Sequence, residues 1–391
     1  MSAPRYDVVI AGAGLPGLAL ARALAQLDLR VAIVDRSVVD IPSIDESTWD
    51  ARVYAVSPGS VAFLETIGAW PTGSAPRIES IESMRVEGDR GAVMTFSAYD
   101  LGERALAWIV EERELRAALV RSVADSAVEV LAPARFAGLA FDAGRATLSL
   151  EDGRAIEARL VVGADGVRSW VREAAGIVVQ PRDYDQTAVV ANFKCERRHR
   201  GCARQWFQRD GGVLAWLPLP GERISIVWSA PRALARSLMR DDALTLASRV
   251  ADAGGHALGA LELITPPAAF PLSYLRLPSM IAHRMALVGD AAHGVHPLAG
   301  QGVNLGFGDA RALHDVIAAR GPVADVGEAI LLERYATRRA EPVLAVQAVT
   351  DGLARLFNLR SPVAGRLRNL GLAAFDRVPV AKHWLAQPAL R

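Results

Sequence analysis

Short apolar runs that end on glycine alternate along this chain with segments of helical period. Residues 6–11 form a β-rich run. Leu18, Ala21, Leu24 and Ala25 then share a helical face, and residues 30–34 make a second strand. Residues 50–57 lead into a helix through Val61, Leu64 and Ile67 that stops at Gly68. From Ile78 to Trp108 the pattern alternates, with Gly88, Asp89 and Gly91 as turn signals, and helical spacing returns over residues 110–119. Residues 128–150 read as strands closed by a hairpin turn at Glu151-Asp152-Gly153. Residues 160–166 read as a buried strand running into a turn, after which Ser169 opens a helix carrying Arg172. A β-rich stretch at residues 189–228 has turns at Arg200-Gly201, Asp210-Gly211-Gly212 and Pro220-Gly221; residues 241–257 then look helical and 268–277 strand-like. Met285-Ala286-Leu287-Val288 is a further buried strand, ended by Gly289-Asp290, and a loop follows to Gly300-Gln301-Gly302 and a helix. Beyond Pro342 the tail reads as one or two helices.

This alternation predicts an α/β fold with a β-rich second region and a helical tail. The 391 residues exceed one ordinary core and imply two domains. With 51% apolar residues and a net charge of +1, the chain is a soluble globular type. No basic tract calls for nucleic acid. No apolar run is long enough to span a membrane, and the first run lies too close to Met1 for a signal or transit peptide. Two cysteines, Cys195 and Cys202, make no disulfide framework, which fits a reducing cytosolic setting. With His199 between them they lack a fourth ligand, so no metal site is expected.

Candidate chemistry begins at the first glycine cluster. Gly12-Ala13-Gly14-Leu15-Pro16-Gly17 follows a strand and opens a helix, and Asp35 closes the next strand. That is the dinucleotide fingerprint in its required context. Gly12 allows the tight turn, Gly14 lets backbone approach a pyrophosphate, Gly17 lets helix and strand pack closely, and Asp35 binds ribose hydroxyls. NAD and FAD both remain open on this evidence. The second cluster is the loop after Gly289. Its helix would leave the amides of Gly302, Val303 and Asn304 unpaired, and Asp290 could accept from a sugar or polyol hydroxyl. A capped surface helix is the plain alternative. Arg52 is either a surface arginine or a contact to a pyrophosphate or flavin. Phe193, Trp206, Phe207, Trp216 and Trp228 either wall a pocket for a flat ligand or are core. In the tail, Arg355, Arg360, Arg366, Arg368, Arg377 and Lys382 outnumber Asp351 and Asp376, with Leu353, Leu356, Phe357, Leu367 and Leu370 near one face. Such a tail suits an anionic membrane, a partner protein or packing on its own domain.

Taken together, the Gly12–Gly17 turn, Gly163-Ala164-Asp165-Gly166 and Gly289-Asp290-Ala291-Ala292-His293 with His296-Pro297-Leu298-Ala299-Gly300-Gln301-Gly302-Val303-Asn304 occur in this order. In that set the sequence resembles the flavin-dependent aromatic-ring hydroxylases related to para-hydroxybenzoate hydroxylase, over nearly the whole chain. Asp50-Ala51-Arg52, Ala55-Val56-Ser57 and Gln205-Trp206-Phe207 with Leu217-Pro218-Leu219 fit their ubiquinone-biosynthesis (UbiH-type) branch.

The resemblance implies a Rossmann-like FAD-binding domain at residues 1–75, 106–180 and 281–342, interleaved with a β-rich substrate domain at 76–105 and 181–280, plus C-terminal helices at 343–391. It implies that Gly12, Gly14, Gly17, Asp35 and Arg36 hold the ADP half of FAD, and that Arg52 and Arg113 contact the flavin or its diphosphate. Asp165 would serve FAD and the nicotinamide donor, Asp290 the ribityl chain, and Gly300, Gly302, Val303 and Asn304 the isoalloxazine. Pro297 and His296 become the candidate catalytic residues, Pro297 through its carbonyl and His296 through a phenol proton; a buried, satisfied histidine is the alternative. NADH or NADPH would reduce the flavin and leave, since no second glycine fingerprint exists, and O2 would be the co-substrate. The implied activity is hydroxylation of a small aromatic, polyprenylated phenol in ubiquinone synthesis, in the cytoplasm or peripherally at the inner membrane face. Rival readings keep the fold and change the chemistry: a halogenase or prenyl reductase, or a non-catalytic flavoprotein assembly factor. A halogenase Trp-x-Trp-x-Ile-Pro motif is matched only by Trp216-Leu217-Pro218. An NAD-dependent dehydrogenase is the remaining alternative.

Overall fold

A computed structural model describes residues 5–42, 45, 47–71, 77–208, 212–321, 323–358 and 369. Five parallel strands make the centre of its first sheet, in the order Glu129–Leu131, Val31–Val34, Arg5–Ala11, Ala155–Gly163 and Met285–Leu287. Val8, Val9, Ile10, Ile33, Val161 and Val162 are fully buried. Such strands are covered on both faces, which is why their sequence is continuously apolar rather than alternating. The helix Leu15–Leu24 packs on one face between the helices Gln301–Ala318 and Glu112–Ala124. The register matters for the site. Ala11 lies opposite Val34 and Gly163, and Gly163 opposite Leu287, so these strands end level with one another. Gly12, Asp35, Asp165 and Asp290, far apart in sequence, therefore emerge along one edge.

The second sheet runs His293–Gly294, Ala268–Arg276, Arg182–Cys195, Arg223–Pro231, Val213–Leu219, Cys202–Phe207, Ser83–Glu87 and Val93–Ser97. Its first strand belongs to the loop after Asp290, and Gly294 pairs with Leu275. The loop thus joins the two sheets. Side chains alternate across the second sheet as the pleat requires. Phe193, Trp216 and Trp228 turn to the helices Arg232–Leu238 and Ala243–Ala253, and Trp206 packs there edge-on to Trp216 at 4.9 Å. These four are core. Phe207, one residue on from Trp206, turns to the other face and meets Val213 and Leu298. His199 holds a turn: its Nε2 lies 2.8 Å from the Leu219 and Gly221 carbonyls, and its Nδ1 accepts from the Gly201 amide. Cys195 is buried, which pushes its thiol up to about 12.

Three features depart from the sequence expectation. Ile78–Ile81 pairs with Ala107–Glu111 and, through it, with Val53–Val56 in a small sheet, so the expected boundary at 75/76 divides a paired unit. Helical spacing was expected from residue 110, but Ile109 and Val110 are buried strand positions and the helix starts at Glu112. The third is the helix Ala329–Asn358, which runs through Pro342 and the expected boundary at 342/343. An internal proline costs about 3 kcal/mol. Here Tyr335 and Arg339 are buried before it, and Val346, Gln347, Thr350, Ala354 and Phe357 after it, so one covered face spans the break and offsets that cost. Leu356, expected on the apolar face, is exposed, while Phe357 stacks on Phe207. Arg355 pairs with Asp351 at 2.8 Å. Asp210, Gly211, Arg360, Arg366, Leu367, Arg368, Leu370, Asp376, Arg377 and Lys382 lie outside the described residues. Asn369 donates to Asp89 at 2.8 Å, so the tail touches the hairpin turn between Ser83–Glu87 and Val93–Ser97. No described helix is long and apolar enough to cross a membrane.

Candidate cofactor site

The three glycines of the first loop differ in what surrounds them. Gly12 sits at φ +111°, and a Cβ there would overlap the Ala164 carbonyl oxygen. A Cβ on Gly17 would overlap the Gly12 carbonyl oxygen. Gly14 is exposed, and the nearest atom to its Cβ position is the Ala164 oxygen at 3.9 Å. Protein packing therefore excludes side chains at Gly12 and Gly17, whereas Gly14 keeps its backbone open. Asp35 accepts from the Ala13 amide at 2.7 Å and from the Ser37 amide at 2.8 Å, which ties its strand end to the loop. Arg36 beside it is exposed. Arg116 also reaches the loop, donating to the Ala13 carbonyl at 2.9 Å.

Ala164, which crowds Gly12, begins the second turn. Asp165 accepts from the Val171 amide at 3.1 Å through Oδ2, while its buried Oδ1 has no protein partner among the described residues. Arg172 donates to the Val167 carbonyl at 2.9 Å and to the Ala291 carbonyl at 3.0 Å. One buried guanidinium thereby holds the second motif to the third.

In the third motif the helix begins at Gln301, one residue before the expected start, because Gly300 adopts φ +65° as its N-cap. No side chain caps it. Gly302 and Val303 lie in the first turn, where amides lack intrahelical partners and the helix dipole is positive. Asn304 is fourth in the helix, so its amide belongs to the intrahelical ladder and is not one of the expected free donors. Its side chain has another task. Oδ1 accepts from the Ser57 amide at 2.9 Å, and Nδ2 donates to the Ala55 carbonyl at 2.8 Å. Those bonds fasten the strand Val53–Val56 to the helix start. A Cβ on Gly306 would come 2.6 Å from Pro16, so the third motif packs directly on the first.

Asp290 makes no hydrogen bond among the described residues and is exposed. Protein crowding on its other sides raises its pKa, with His293 and Arg52 opposing that rise. Its neighbours are tightly held. The Gly289 amide donates to buried Asp309 at 2.9 Å, and the Leu287 carbonyl accepts from Tyr335 at 2.7 Å.

The two candidate arginines part company. Arg52 is exposed, pairs with Glu112 at 3.0 Å and lies over the rings of Tyr54 and Phe270. Arg113 turns to Thr48, bonding its hydroxyl at 3.0 Å and its carbonyl, and pairs with buried Glu111 at 3.2 Å. Glu111 also pairs with Arg77 at 2.7 Å. Arg113 therefore secures the loop that delivers Arg52. Sequence reasoning passed over Arg116, although it lies one turn beyond Arg113 on the same helix. It also passed over Asp309, Arg339 and Tyr335, for which no local motif gives a signal.

His296 is buried, and its Nε2 meets Gln186 Oε1 at 2.9 Å, while Nδ1 has no partner among the described residues. Burial lowers its pKa to about 4, against a small opposing pull from Asp351. It is thus a neutral imidazole with one free lone pair. The Pro297 carbonyl accepts from the Gly300 amide at 3.0 Å and closes the turn before the helix.

An open glycine backbone, an unpartnered Asp165 oxygen, an uncommitted Asp290 and an uncapped helix start on one sheet edge fit a dinucleotide with a pyrophosphate and a polyol chain. A family model for an FAD binding domain matches residues 5–350. Ubiquinone hydroxylase UbiL of Rhodospirillum rubrum is 36% identical over 387 residues, covering 98% of this chain and 89% of its own. The 3-demethoxyubiquinol 3-hydroxylase of Escherichia coli is 33% identical and covers 98% of each chain. The crystal structure of PqsL from Pseudomonas aeruginosa superposes with a TM-score of 0.78 at 27% identity, over 94% of this chain and 99% of that one. The chain belongs to the FAD binding domain family, and it is an FAD-dependent monooxygenase.

Proposed function

We propose that this enzyme hydroxylates the ring of a small phenolic, polyprenylated precursor of ubiquinone, with NADH or NADPH as the transient reductant and O2 as co-substrate. The observation that carries the reading is the convergence of Gly14, Asp165, Asp290 and the Gly302 helix turn at the carboxyl ends of level strands. The relatives that act on ubiquinone and demethoxyubiquinol support the substrate class. FAD, when bound, supplies the transfer of electrons from the nicotinamide donor and their use on O2.

The chain's own residues then have separate tasks. Gly12, Gly14, Gly17, Asp35 and Arg36 hold the ADP half, with Arg116 fixing the glycine loop. Arg52 lies close enough to Asp290 to act on its charge, and Arg113 acts by holding the Thr48 loop. Asp165 offers its unpartnered oxygen to the cofactor or to the donor. Asp290 accepts from the polyol chain. The amides of Gly302 and Val303 would stabilise negative charge on a ring system held there, and Gly300 and Asn304 set where that helix starts. The neutral His296, with Nδ1 unpartnered among the described residues, is the candidate to accept a hydrogen bond from the phenol hydroxyl, and Pro297 fixes the turn in front of it. Phe207, Val213 and Leu298 pack together beside that turn, and an apolar wall of this kind would keep water from the reacting ring. The basic tail suits contact with an anionic membrane that holds such a substrate.

Anaerobic mixing with NADPH or NADH tests this. Bleaching of the flavin should accelerate with a prenylated phenol, and air should then give ring-hydroxylated product. Bleaching without hydroxylated product from any quinone-precursor phenol would remove this substrate class.

A further inference from the structure

The turn that presents Asp290 is held by side chains that the cofactor reading does not use. Asp309 is fully buried on the helix Gln301–Ala318, two turns beyond Gly302. Three donors converge on its carboxylate. The Gly289 amide donates to Oδ2 at 2.9 Å, His293 Nε2 to the same oxygen at 2.6 Å, and Arg339 Nε to Oδ1 at 2.6 Å. An ionised carboxylate accepts only, so it satisfies all three donors at once. Any group that carries a hydrogen there turns a donor against a donor. Burial alone would raise this carboxyl's pKa, but His293 and Arg339 hold it below the usual range. Gly289 adopts φ +61°, which glycine reaches without strain, and its amide is the atom Asp309 grips, so the bond selects one of the turn's accessible conformations.

We propose that Asp309 is a positioning residue for the flavin. It fixes the Gly289–Ala291 turn so that Asp290 is aimed at the cofactor, with Arg339 as its counter-charge. One side chain then sets both halves of the third motif, since the same helix presents Gly302 and Val303. The inference rests on the reading that Asp290 contacts the polyol chain of FAD.

The test compares variants by FAD dissociation constant, by the visible circular dichroism of the bound flavin and by unfolding temperature. Asp290→Asn should weaken FAD at least tenfold with an unchanged unfolding temperature of the apoprotein, because Asp290 makes no hydrogen bond to the described residues. Asp309→Asn should weaken FAD by a similar factor and change the flavin dichroism, because its amide opposes Arg339. Removing that donor in Asp309→Asn with Arg339→Met should recover most of the affinity, since an oxygen still meets Gly289 and His293. Asp309→Leu with Arg339→Met has no acceptor and should not recover. If Asp309→Asn does not fold, the two double variants decide the matter by themselves. Equal FAD affinity and dichroism in those two, with Asp290→Asn impaired, would overturn the positioning role and leave the cofactor reading standing. Full affinity in Asp290→Asn would remove the contact on which the inference rests.

Discussion

The glycine loop at Gly12–Gly17 and the turn at Gly289–Asn304 lie on the same sheet edge but are built in opposite ways. The first rests chiefly on its own strand–helix junction, where Gly17 clears the Gly12 carbonyl, with Ala164 and Arg116 closing on it from outside. The second is assembled from afar. Asp309 and Arg339 lie on two helices, Tyr335 lies on the second of these, Arg172 comes from a short helix after the second motif, and the Ser57 amide meets Asn304 across 247 positions. A local device fails by steric clash. An assembled one fails by leaving buried polar groups without partners. The two should therefore break differently, and by different amounts.

The largest effect is expected from Gly17→Ala. Its Cβ would meet backbone at Gly12, which no rotamer change relieves, so helix and strand must part. The cost should be about 3 kcal/mol or more, at the upper end of overpacking. Urea denaturation of the apoprotein measures it; a loss under about 1 kcal/mol would show that the junction yields and that the local device is softer than its geometry.

Next comes the assembled region. Asn304→Ala leaves the Ser57 amide and the Ala55 carbonyl buried without this partner. At 1–3 kcal/mol for each unpaired group, the loss should be about 3 kcal/mol, reduced if water enters. The same urea experiment reads it. A loss matching that of an exposed asparagine would mean the strand Val53–Val56 is not fastened through this side chain.

These contrasts explain how much the sequence disclosed. The glycine loop was legible because strand, turn, helix and acid follow each other within one βαβ unit and the packing reason for Gly17 is local, whereas the crowding of Gly12 by Ala164 of the second motif was not legible. Asp290 and Gly302 were legible as residue types, but not what holds them. The start of the helix moved to Gln301 because Gly300 takes a left-handed conformation against Ala55, a contact outside its own segment. Arg113 enters only through the family resemblance; its partners, Thr48 and Glu111, appear only when the strand Val53–Val56 folds against Ala107–Glu111. Pro342 read as a break because the continuous buried face of its helix depends on what packs there.

The assembled region should also titrate. His296 gains a proton near the ordinary pH of 6.5 in the unfolded chain but only at about 4 in the folded protein. Between those values the unfolded state holds more protons, so stability rises with pH across that window. It is full above about pH 6.5 and is lost as pH falls toward 4, by roughly 2–3 kcal/mol. Urea midpoints at pH 7, 5.5 and 4.5 should fall in the wild type and fall less in His296→Gln. Parallel curves would assign the acid sensitivity to other groups.

The smallest effect on stability is expected at Gly14, and it sharpens the comparison most. Gly14 has φ −72° and ψ 170°, which alanine adopts freely, and no atom within 3.4 Å of its Cβ position. Alanine is a poorer N-cap than glycine, but it also restricts the unfolded chain. These terms oppose each other, so Gly14→Ala should leave apoprotein stability within about 1 kcal/mol of wild type. Its methyl group would nevertheless stand where a pyrophosphate approaches the backbone, so FAD affinity should fall tenfold or more. Flavin fluorescence titration beside apoprotein denaturation separates the two. A Gly14→Ala protein that kept both stability and FAD affinity would show that the cofactor does not approach this backbone. A stable protein that released FAD would make Gly14 a glycine kept for the ligand, beside two kept for the fold.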